Sequence, residues 1–259
     1  MDQDKLSELA RYDTSAQFLL ESSGVVSSDG EFGSDSMPHY LRSPYTYYQD
    51  LVAELIHPQD RVLEVGAGTG LHTCTLVKTG AYVTATDISP NSLKLLAQRI
   101  KNAGAEVTTQ VADMEKLPFS DNSFDMVACA GSLSYGEPLL VDTEIKRVLC
   151  PGGLLICVDS LNHNPIYRFN RFLHHLRGDR TKSTLRRMPD LSRIKSLSVG
   201  FESFKVQYYG AVTFIMPLMV RLIGQQRAQS LSDSVDRVFH IKHAAFKFVF
   251  VAKNFQKIT

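Results

Sequence analysis

A short apolar segment followed by three closely spaced glycines constrains this chain more than any other feature. Residues 61–65 are mostly apolar and β-branched at two positions, which is typical of a strand buried in a parallel sheet. Gly66, Gly68 and Gly70 follow, and glycine lets a backbone turn sharply and approach a ligand closely. A helix predicted to begin near Leu71 would aim unpaired N–H groups at an anionic group of that ligand. The stretch therefore predicts a cavity of nucleotide size that holds an adenosine.

The spacing of the glycines indicates which class of nucleotide the turn could bind. Dinucleotide-binding turns read G-x-G-x-x-G, whereas the third glycine here comes one residue earlier. An acid, Glu64, also stands two places before the first glycine. This pattern disfavours NAD, and on its own it is also compatible with an ordinary strand-to-helix turn.

Two further acids follow predicted strands. Asp87 ends the predicted strand 81–86, where its carboxylate could accept both ribose hydroxyls. The alternative role of Asp87 is the N-cap of the next helix, which Ser89 could also fill. After the predicted strand at 106–111, Asp113 could accept from an adenine amino group while Met114 packs on the ring.

Five motifs stand in the chain at 62–70, 86–89, 112–119, 123–127 and 149–153. In order and spacing they resemble the class I S-adenosylmethionine-dependent methyltransferases, most closely the small-molecule group that includes the ubiquinone and menaquinone enzymes. The resemblance spans 47–159 and implies S-adenosyl-L-methionine as cofactor. The cofactor-binding residues it implies are Glu64, Gly66, Ala67, Gly68, Thr69, Gly70, Asp87, Ile88, Asp113, Met114, Ala130, Gly131 and Tyr135.

Strand and helix patterns alternate from 61 to 159, with a fourth strand predicted near 124–130 and a fifth at 154–158, which predicts an α/β, doubly wound parallel sheet. The resemblance implies a Rossmann-like, seven-stranded sheet, mostly parallel with an antiparallel C-terminal edge strand and helices on both faces. Segments 203–209 and 245–251 are predicted to form its antiparallel edge pair, with the last strand inserted between strands five and six. We expect a single domain over 1–259, with an N-terminal lid (1–50), a cofactor-binding core (51–159) and substrate-side insertions (160–200 and 211–243).

Composition adds a few limits. A net charge of only +1 gives no case for a nucleic-acid partner. The four cysteines lack metal-ligand spacing and read as reduced packing residues, which predicts a reducing cytoplasm. The first residues are polar and lack the apolar core of a signal peptide. The cysteines are Cys74, Cys129, Cys150 and Cys157.

Two segments outside the core are expected to define the acceptor. Residues 24–36 are rich in Ser, Gly and Asp and predict a mobile loop. The aromatic segment 37–48, whose Tyr40 is a candidate acceptor contact, is interpreted as a lid over the cofactor, with packing on the sheet edge as the alternative. In the insertion, seven Lys or Arg stand between Arg168 and Arg187 against one acid, Asp179.

This basic run is either a solvated helix face or a site for an anionic group, because guanidinium binds phosphate and carboxylate bidentately. Its candidate acceptor contacts are Arg177, Arg180, Arg186 and Arg187. The apolar run 214–223 is too short to span a bilayer, which takes ~20 residues. It would be buried against the core or an apolar acceptor tail, or it would make peripheral membrane contact.

Transfer of an activated methyl group needs a base only when the acceptor is a hydroxyl. His163 follows the fifth predicted strand at the carboxyl edge of the sheet, where a neutral imidazole could take such a proton. A structural role in an Asn-rich turn is the alternative, and His39 on the proposed lid is a second candidate. A metal held by Asp159 and His163 is disfavoured, and no metal site is predicted.

The sequence thus predicts a methyltransferase that modifies a small molecule, with a hydroxyl of a sugar or other anionic metabolite as the acceptor. The first alternative is a C- or O-methyltransferase of a prenylated quinone or lipid. The second is a catalytically inactive protein that binds S-adenosylmethionine, since binding residues are more evident than catalytic ones.

Overall fold

The computed structural model describes residues 3–22, 37–176, 181–239 and 241–256. The loop predicted at 24–36, together with Arg177 and Arg180, lies outside the described residues.

Seven strands of the described residues form one sheet in the order β3-β2-β1-β4-β5-β7-β6. Strand β7 is antiparallel to both β5 and β6, and the other pairs are parallel. This confirms the predicted doubly wound sheet and the insertion of the last strand between strands five and six. The strands are β1 (Arg61–Val65), β2 (Tyr82–Asp87), β3 (Thr108–Val111), β4 (Phe124–Ala130), β5 (Leu149–Ser160), β6 (Phe201–Tyr209) and β7 (Lys247–Phe255).

Helices connect these strands and cover both faces of the sheet. Short 3-10 helices lie at His39–Leu41, Leu133–Tyr135 and Thr213–Ile215. The α-helices of the described residues are α1 (Gln3–Ser22), α2 (Ser43–Leu55), α3 (Thr73–Val77), α4 (Pro90–Asn102), α5 (Pro138–Val148), α6 (Pro165–Leu176), α7 (Lys182–Arg187), α8 (Leu191–Ser198), α9 (Met216–Ile223) and α10 (Gln225–Phe239). None of these helices is long and apolar enough to cross a membrane.

Strand β5 is longer than predicted. The prediction began it at residue 154, after the Pro151-Gly152-Gly153 turn signal, whereas the strand begins at Leu149. Its pairing with β4 shifts register across this stretch, where Gly152 takes a positive φ of 80°. A bulge absorbs the turn residues, so the strand continues through them.

The sheet is buried on both faces, as the mostly apolar strand β1 requires. Leu63 and Val65 pack in the larger core cluster on one face, and Val62 packs with Tyr48 of α2 on the other. Glu64 is the polar exception, since it is 1 % exposed within this strand. Of the cysteines, Cys150 is partly exposed and the other three are buried, and none forms a disulfide.

Candidate cofactor and acceptor site

A cavity of about 320 Å³ lies at the carboxyl ends of β1, β2 and β4, and α1 crosses it. This is the edge at which doubly wound sheets bind ligands. Most of the residues predicted to bind cofactor line this cavity. They are Gly66, Ala67, Gly68, Thr69, Asp87, Ile88, Asp113, Met114, Ala130, Gly131 and Tyr135.

The glycine loop is shaped by close packing as well as by backbone conformation. A Cβ on Gly66 would stand 2.4 Å from Cβ of Ser132, and Gly66 has a φ of 71°. A Cβ on Gly70 would stand 2.7 Å from Cγ of Leu96, at a φ of 84°. Gly70 does not line the cavity, and its contribution is the close approach of the loop to α4. Gly68 does line the cavity and donates its N–H to Asp87 Oδ2 at 2.9 Å.

Glu64 lies beneath the loop and is not among the cavity-lining residues. Thr73 at the start of α3 donates its hydroxyl to Glu64 Oε2 at 2.5 Å. Burial raises the pKa of Glu64 to about 8, against the lowering effect of that hydrogen bond. Alternation along β1 points this side chain towards α3, so Glu64 holds the helix that follows the glycine loop.

Asp87 joins the end of β2 to the glycine loop. Its Oδ2 accepts from Gly68 N and its Oδ1 from Ser89 N, each at 2.9 Å. The N-cap of α4 is Ser89, whose hydroxyl accepts from Ser92 N. Because a carboxylate has about four acceptor positions, Asp87 retains capacity for ribose hydroxyls.

Asp113 is shared with the N-terminal helix. Lys5 Nζ donates to both carboxylate oxygens of Asp113, at 2.8 and 2.7 Å, and lies 2.8 Å from Glu115 Oε2. Lys5 is buried although it carries a charge. An adenine amino group bound at Asp113 would therefore meet a carboxylate that already holds a cation.

Helix α1 lies within 1–50, the predicted N-terminal lid, but the sequence indicated none of its residues as a contact to the cavity. Lys5, Glu8 and Tyr12 all line the cavity, and the Tyr12 hydroxyl is hydrogen-bonded to that of Tyr135. Helix α1 turns polar residues, Lys5 and Glu8, towards the protein. It therefore lacks the apolar stripe by which a packed helix is recognised in a sequence.

Two more carboxylates of α1 attach it to the protein. Asp13 accepts from the Ser89 hydroxyl at 2.7 Å, and from the backbone and side-chain N–H groups of Asn91. Glu8 Oε1 accepts from the Thr184 hydroxyl at 3.0 Å and from Thr181 N at 3.3 Å. Helix α1 thus bridges the cofactor cavity and α7 of the insertion.

The segment 37–48, predicted as the lid, contributes no residue to the lining of this cavity. His39 N donates to Gln225 at the start of α10, and Tyr48 is fully buried against the sheet. The described structure therefore favours the alternative interpretation of this segment, packing on the sheet. Neither His39 nor Tyr40 reaches the cavity lining.

His163 is not brought to the cavity either. It is exposed, and its Nε2 lies 2.9 Å from His243 Nδ1. Asp159, its proposed metal partner, is buried and accepts from Leu133 N and Ser160 N. Among the described residues, no group of three His, Cys, Asp or Glu side chains is placed to hold a metal ion.

His72, which the sequence analysis missed, is the histidine in the lining of the cavity. Its ring stacks on Tyr45 at 5.4 Å between centroids and meets Tyr48 edge-on at 5.7 Å. Burial and the nearby charge of Lys247 lower the pKa of His72 to about 4. The imidazole is therefore neutral near pH 7.

A band of aromatic contacts leads from His72 away from the cavity. Lys247 Nζ lies 4.8 Å from the ring centroid of Tyr45 and 5.8 Å from that of Phe246. Phe246 contacts Tyr167 at 4.9 Å, and Tyr167 contacts Phe214 at 6.5 Å. Phe214 is 48 % exposed. We call this series the aromatic band. It consists of His72, Tyr45, Phe246, Tyr167 and Phe214, with Lys247 between Tyr45 and Phe246.

The arginines of the insertion have different environments. Arg187 is buried, and its Nε donates to Glu137 at 3.2 Å. The Arg186 side chain is 76 % exposed, 3.9 Å from the same carboxylate. Arg186 also lines a second cavity, of about 370 Å³, together with Arg168 and Arg171. The two cavities share no described lining residue.

Comparison with known proteins places this geometry in a family. Residues 63–157 match the family model described as "Methyltransferase domain". Demethylmenaquinone methyltransferase of Tropheryma whipplei is 43% identical over 100 residues, which cover 38% of this chain and 40% of that protein. Sterol 4-C-methyltransferase strm-1 of Caenorhabditis elegans is 33% identical over 134 residues, covering 48% and 40%. The matched region thus spans about two fifths of these relatives' length.

Among solved structures, phosphoethanolamine N-methyltransferase 2 of Haemonchus contortus superposes with a TM-score of 0.61 and 18% identity, over 98% of this chain and 60% of that one. That structure contains S-adenosylhomocysteine. At this identity the likeness concerns the fold, while the family match rests on residues 63–157. Residues 63–157 thus belong to a methyltransferase domain of class I, for which S-adenosyl-L-methionine is the cofactor.

Proposed function

We propose that this protein transfers a methyl group from S-adenosylmethionine to an apolar small molecule with a flat ring, of the prenylated quinone or lipid class. The aromatic band carries this proposal. It begins at His72 in the cofactor cavity and ends at the exposed Phe214, so an acceptor beside the methyl group would lie among rings. Rings favour stacked or edge-on contacts with another ring and offer few hydrogen bonds to a sugar.

The names of two relatives agree with this choice. One is a demethylmenaquinone methyltransferase and the other a sterol 4-C-methyltransferase. Their similarity covers 38% and 48% of this chain, so it supports the acceptor class without fixing the acceptor.

The cofactor supplies a methyl group that its sulfonium centre already activates, and the chain has chiefly to align the acceptor and exclude water. In this proposal Asp87 accepts from the ribose hydroxyls, and Tyr12 and Tyr135, which are hydrogen-bonded to each other, line the cavity beside the cofactor. His72, being neutral, presents a hydrogen-bonding imidazole to an acceptor oxygen. Lys247 adds a positive charge that stabilises an acceptor oxygen whose proton has passed to solvent.

The proposal is tested by incubating the protein with methyl-labelled cofactor and separate lipid and polar extracts. We expect labelled product from the lipid fraction. Lys247→Met should then raise the acceptor KM or lower kcat by roughly tenfold or more. Lys253→Met, at an exposed position of the same strand, is the matched control. Label found only in the polar fraction would contradict the proposal, and binding of cofactor without any product would indicate the inactive protein.

The second cavity favours an anionic acceptor as a second candidate, because Arg168, Arg171 and Arg186 line it. Arg171 already donates to the carbonyl of Leu161 at 2.8 Å, which leaves Arg168 and Arg186 as the exposed cations. If this cavity holds the acceptor, Arg186→Glu should raise KM for a polar product and spare cofactor binding. An unchanged KM would assign Arg186 to a solvated face.

A further inference from the structure

Several segments at the carboxyl edge of the sheet carry apolar side chains outward and polar ones inward. In α6, Phe169 is 63 % exposed, whereas Arg171 is 7 % exposed and donates to a backbone carbonyl. Ile166 of the same helix is also exposed. A helix on the surface of a globular protein has the opposite arrangement, with its apolar stripe towards the core.

Exposed apolar side chains recur after β6. In α9, Leu218 and Leu222 are 60 % and 69 % exposed. At the end of α10, Val238 and Phe239 are exposed, while the neighbouring Asp236 is buried and accepts from Gly210 N and Ala211 N. Repetition in three helices indicates a shared surface rather than scattered exposed residues.

These segments meet at one end of the molecule. Helix α6 follows β5, α9 follows β6, and residues 241–246 precede β7, so all three adjoin the same edge. Tyr167 of α6 contacts Phe214 before α9, and His163 contacts His243. We call the exposed residues here the apolar face. It consists of Ile166, Phe169, Phe214, Leu218 and Leu222.

The charged residues around the apolar face indicate which kind of surface it would bind. The sequence segments 161–176, 210–223 and 237–247 contain no Asp or Glu and six Lys or Arg. The exposed cations among them are Arg168, Arg221, Arg237 and Lys242. Apolar side chains with a basic rim suit a surface that is apolar below and negative above, which is the composition of an anionic lipid bilayer.

We infer that the apolar face docks on the surface of an anionic lipid bilayer. Its side chains enter the boundary between headgroups and acyl chains, and the four exposed cations meet lipid phosphates. The residues of the apolar face and its exposed cations take no part in the proposed transfer, apart from Phe214 at the end of the aromatic band and Arg168 in the second cavity. Docking therefore stands or fails independently of the proposed acceptor.

Co-sedimentation with vesicles tests this inference. We expect the protein to bind vesicles of mixed phosphatidylcholine and phosphatidylglycerol at least tenfold more tightly than vesicles of phosphatidylcholine alone. Binding should weaken when ionic strength rises from about 0.05 to 0.5 M, because the Debye length shortens. The double variant F169S/L222S should lose at least tenfold in affinity for the mixed vesicles.

Val199→Ser is the matched control, since Val199 is an exposed apolar residue at the opposite, amino-terminal edge of the sheet. Unchanged circular dichroism and cofactor affinity in every variant would show that the fold is intact. Equal binding of the double variant and the control, or no vesicle binding at all, would overturn the inference. Self-association through this face without vesicle binding, seen by ultracentrifugation, would assign the face to a second copy of the chain instead.

Discussion

At the scale of single residues, Asp87 and Asp113 stand in the same cavity with different partners. Asp87 accepts only from backbone N–H groups of the loops around it, whereas both oxygens of Asp113 accept from Lys5. Burial raises the pKa of Asp87, and the backbone donors oppose that effect. An acid held by neutral donors keeps more of its charge for a ligand than one that is neutralised by a lysine.

We therefore expect Asp87→Ala to weaken cofactor binding more than Asp113→Ala. Loss of two charge-assisted hydrogen bonds, each worth roughly 1.5 to 3 kcal/mol, corresponds to a loss of about a hundredfold or more in affinity. Calorimetric titration with S-adenosylmethionine measures both variants. Glu202→Ala, at the far edge of the sheet, serves as control. A larger loss at Asp113 would show that Lys5 leaves that carboxylate when cofactor binds.

Glu64 makes stability depend on pH in the direction opposite to most acids. Its pKa is about 8 in the folded protein and about 4.5 without the fold. Between these values the folded state binds more protons than the unfolded state, so the Glu64 contribution to stability is full below about pH 4.5 and is lost as pH rises towards 8.

Glu64→Gln cannot ionise and keeps an oxygen for the Thr73 hydroxyl. We expect the variant to gain stability relative to the wild type by about 1.4 kcal/mol per pH unit across that window. Urea unfolding at a series of pH values measures the difference, with the exposed Glu54→Gln as control. Parallel curves for the wild type and the Glu64 variant would mean that Glu64 ionises normally.

At the scale of elements, we propose that α1 controls access to the cavity. The helix lies across the cavity and is held through Lys5, Glu8 and Asp13, whose partners belong to three different parts of the protein. Because these contacts are polar, water can replace them when the helix lifts, which an apolar contact would not allow as readily. Helix α1 is therefore suited to repeated opening and closing.

Asp13→Ala removes the acceptor for three hydrogen bonds from Ser89 and Asn91. We expect dissociation of S-adenosylmethionine to accelerate by roughly tenfold or more, because α1 must lift to release it. Stopped-flow displacement of the bound cofactor measures the rate. Glu21→Ala, at an exposed position of the same helix, should leave it unchanged. An unaltered rate in the Asp13 variant would place the exit path elsewhere.

At the scale of the whole molecule, the sequence predicts the sheet well and the acceptor side poorly. The bounds of β1 and β4 agree with the prediction because buried parallel strands have continuous apolar runs. The role of α1 and of His72 depends on contacts between segments far apart in the chain, such as Lys5 with Asp113. The hydrophobic pattern within one segment does not predict contacts between segments that are far apart in the sequence.

The base assignment shows the same limit. His163 follows β5 at the correct edge of the sheet, yet it lies on the surface beside His243. The position of His163 in the sequence indicated the edge of the sheet at which it lies. It did not indicate the direction in which its side chain points. Nothing in the sequence indicated that His72 lines the cavity, because a lone histidine after a glycine loop belongs to no motif.

The insertion of β7 between β5 and β6 also has a consequence for biosynthesis. A ribosome delivers the chain from its amino end, so the strand that joins β5 to β6 is the last of the seven to emerge. Until residues 247–255 are available, β5 and β6 each present an unpaired edge to the cell, and such edges recruit other nascent chains. A chain terminated before β7 should therefore aggregate rather than accumulate as a partly active fragment, and full-length synthesis at reduced temperature or with a chaperone should favour recovery of the folded protein.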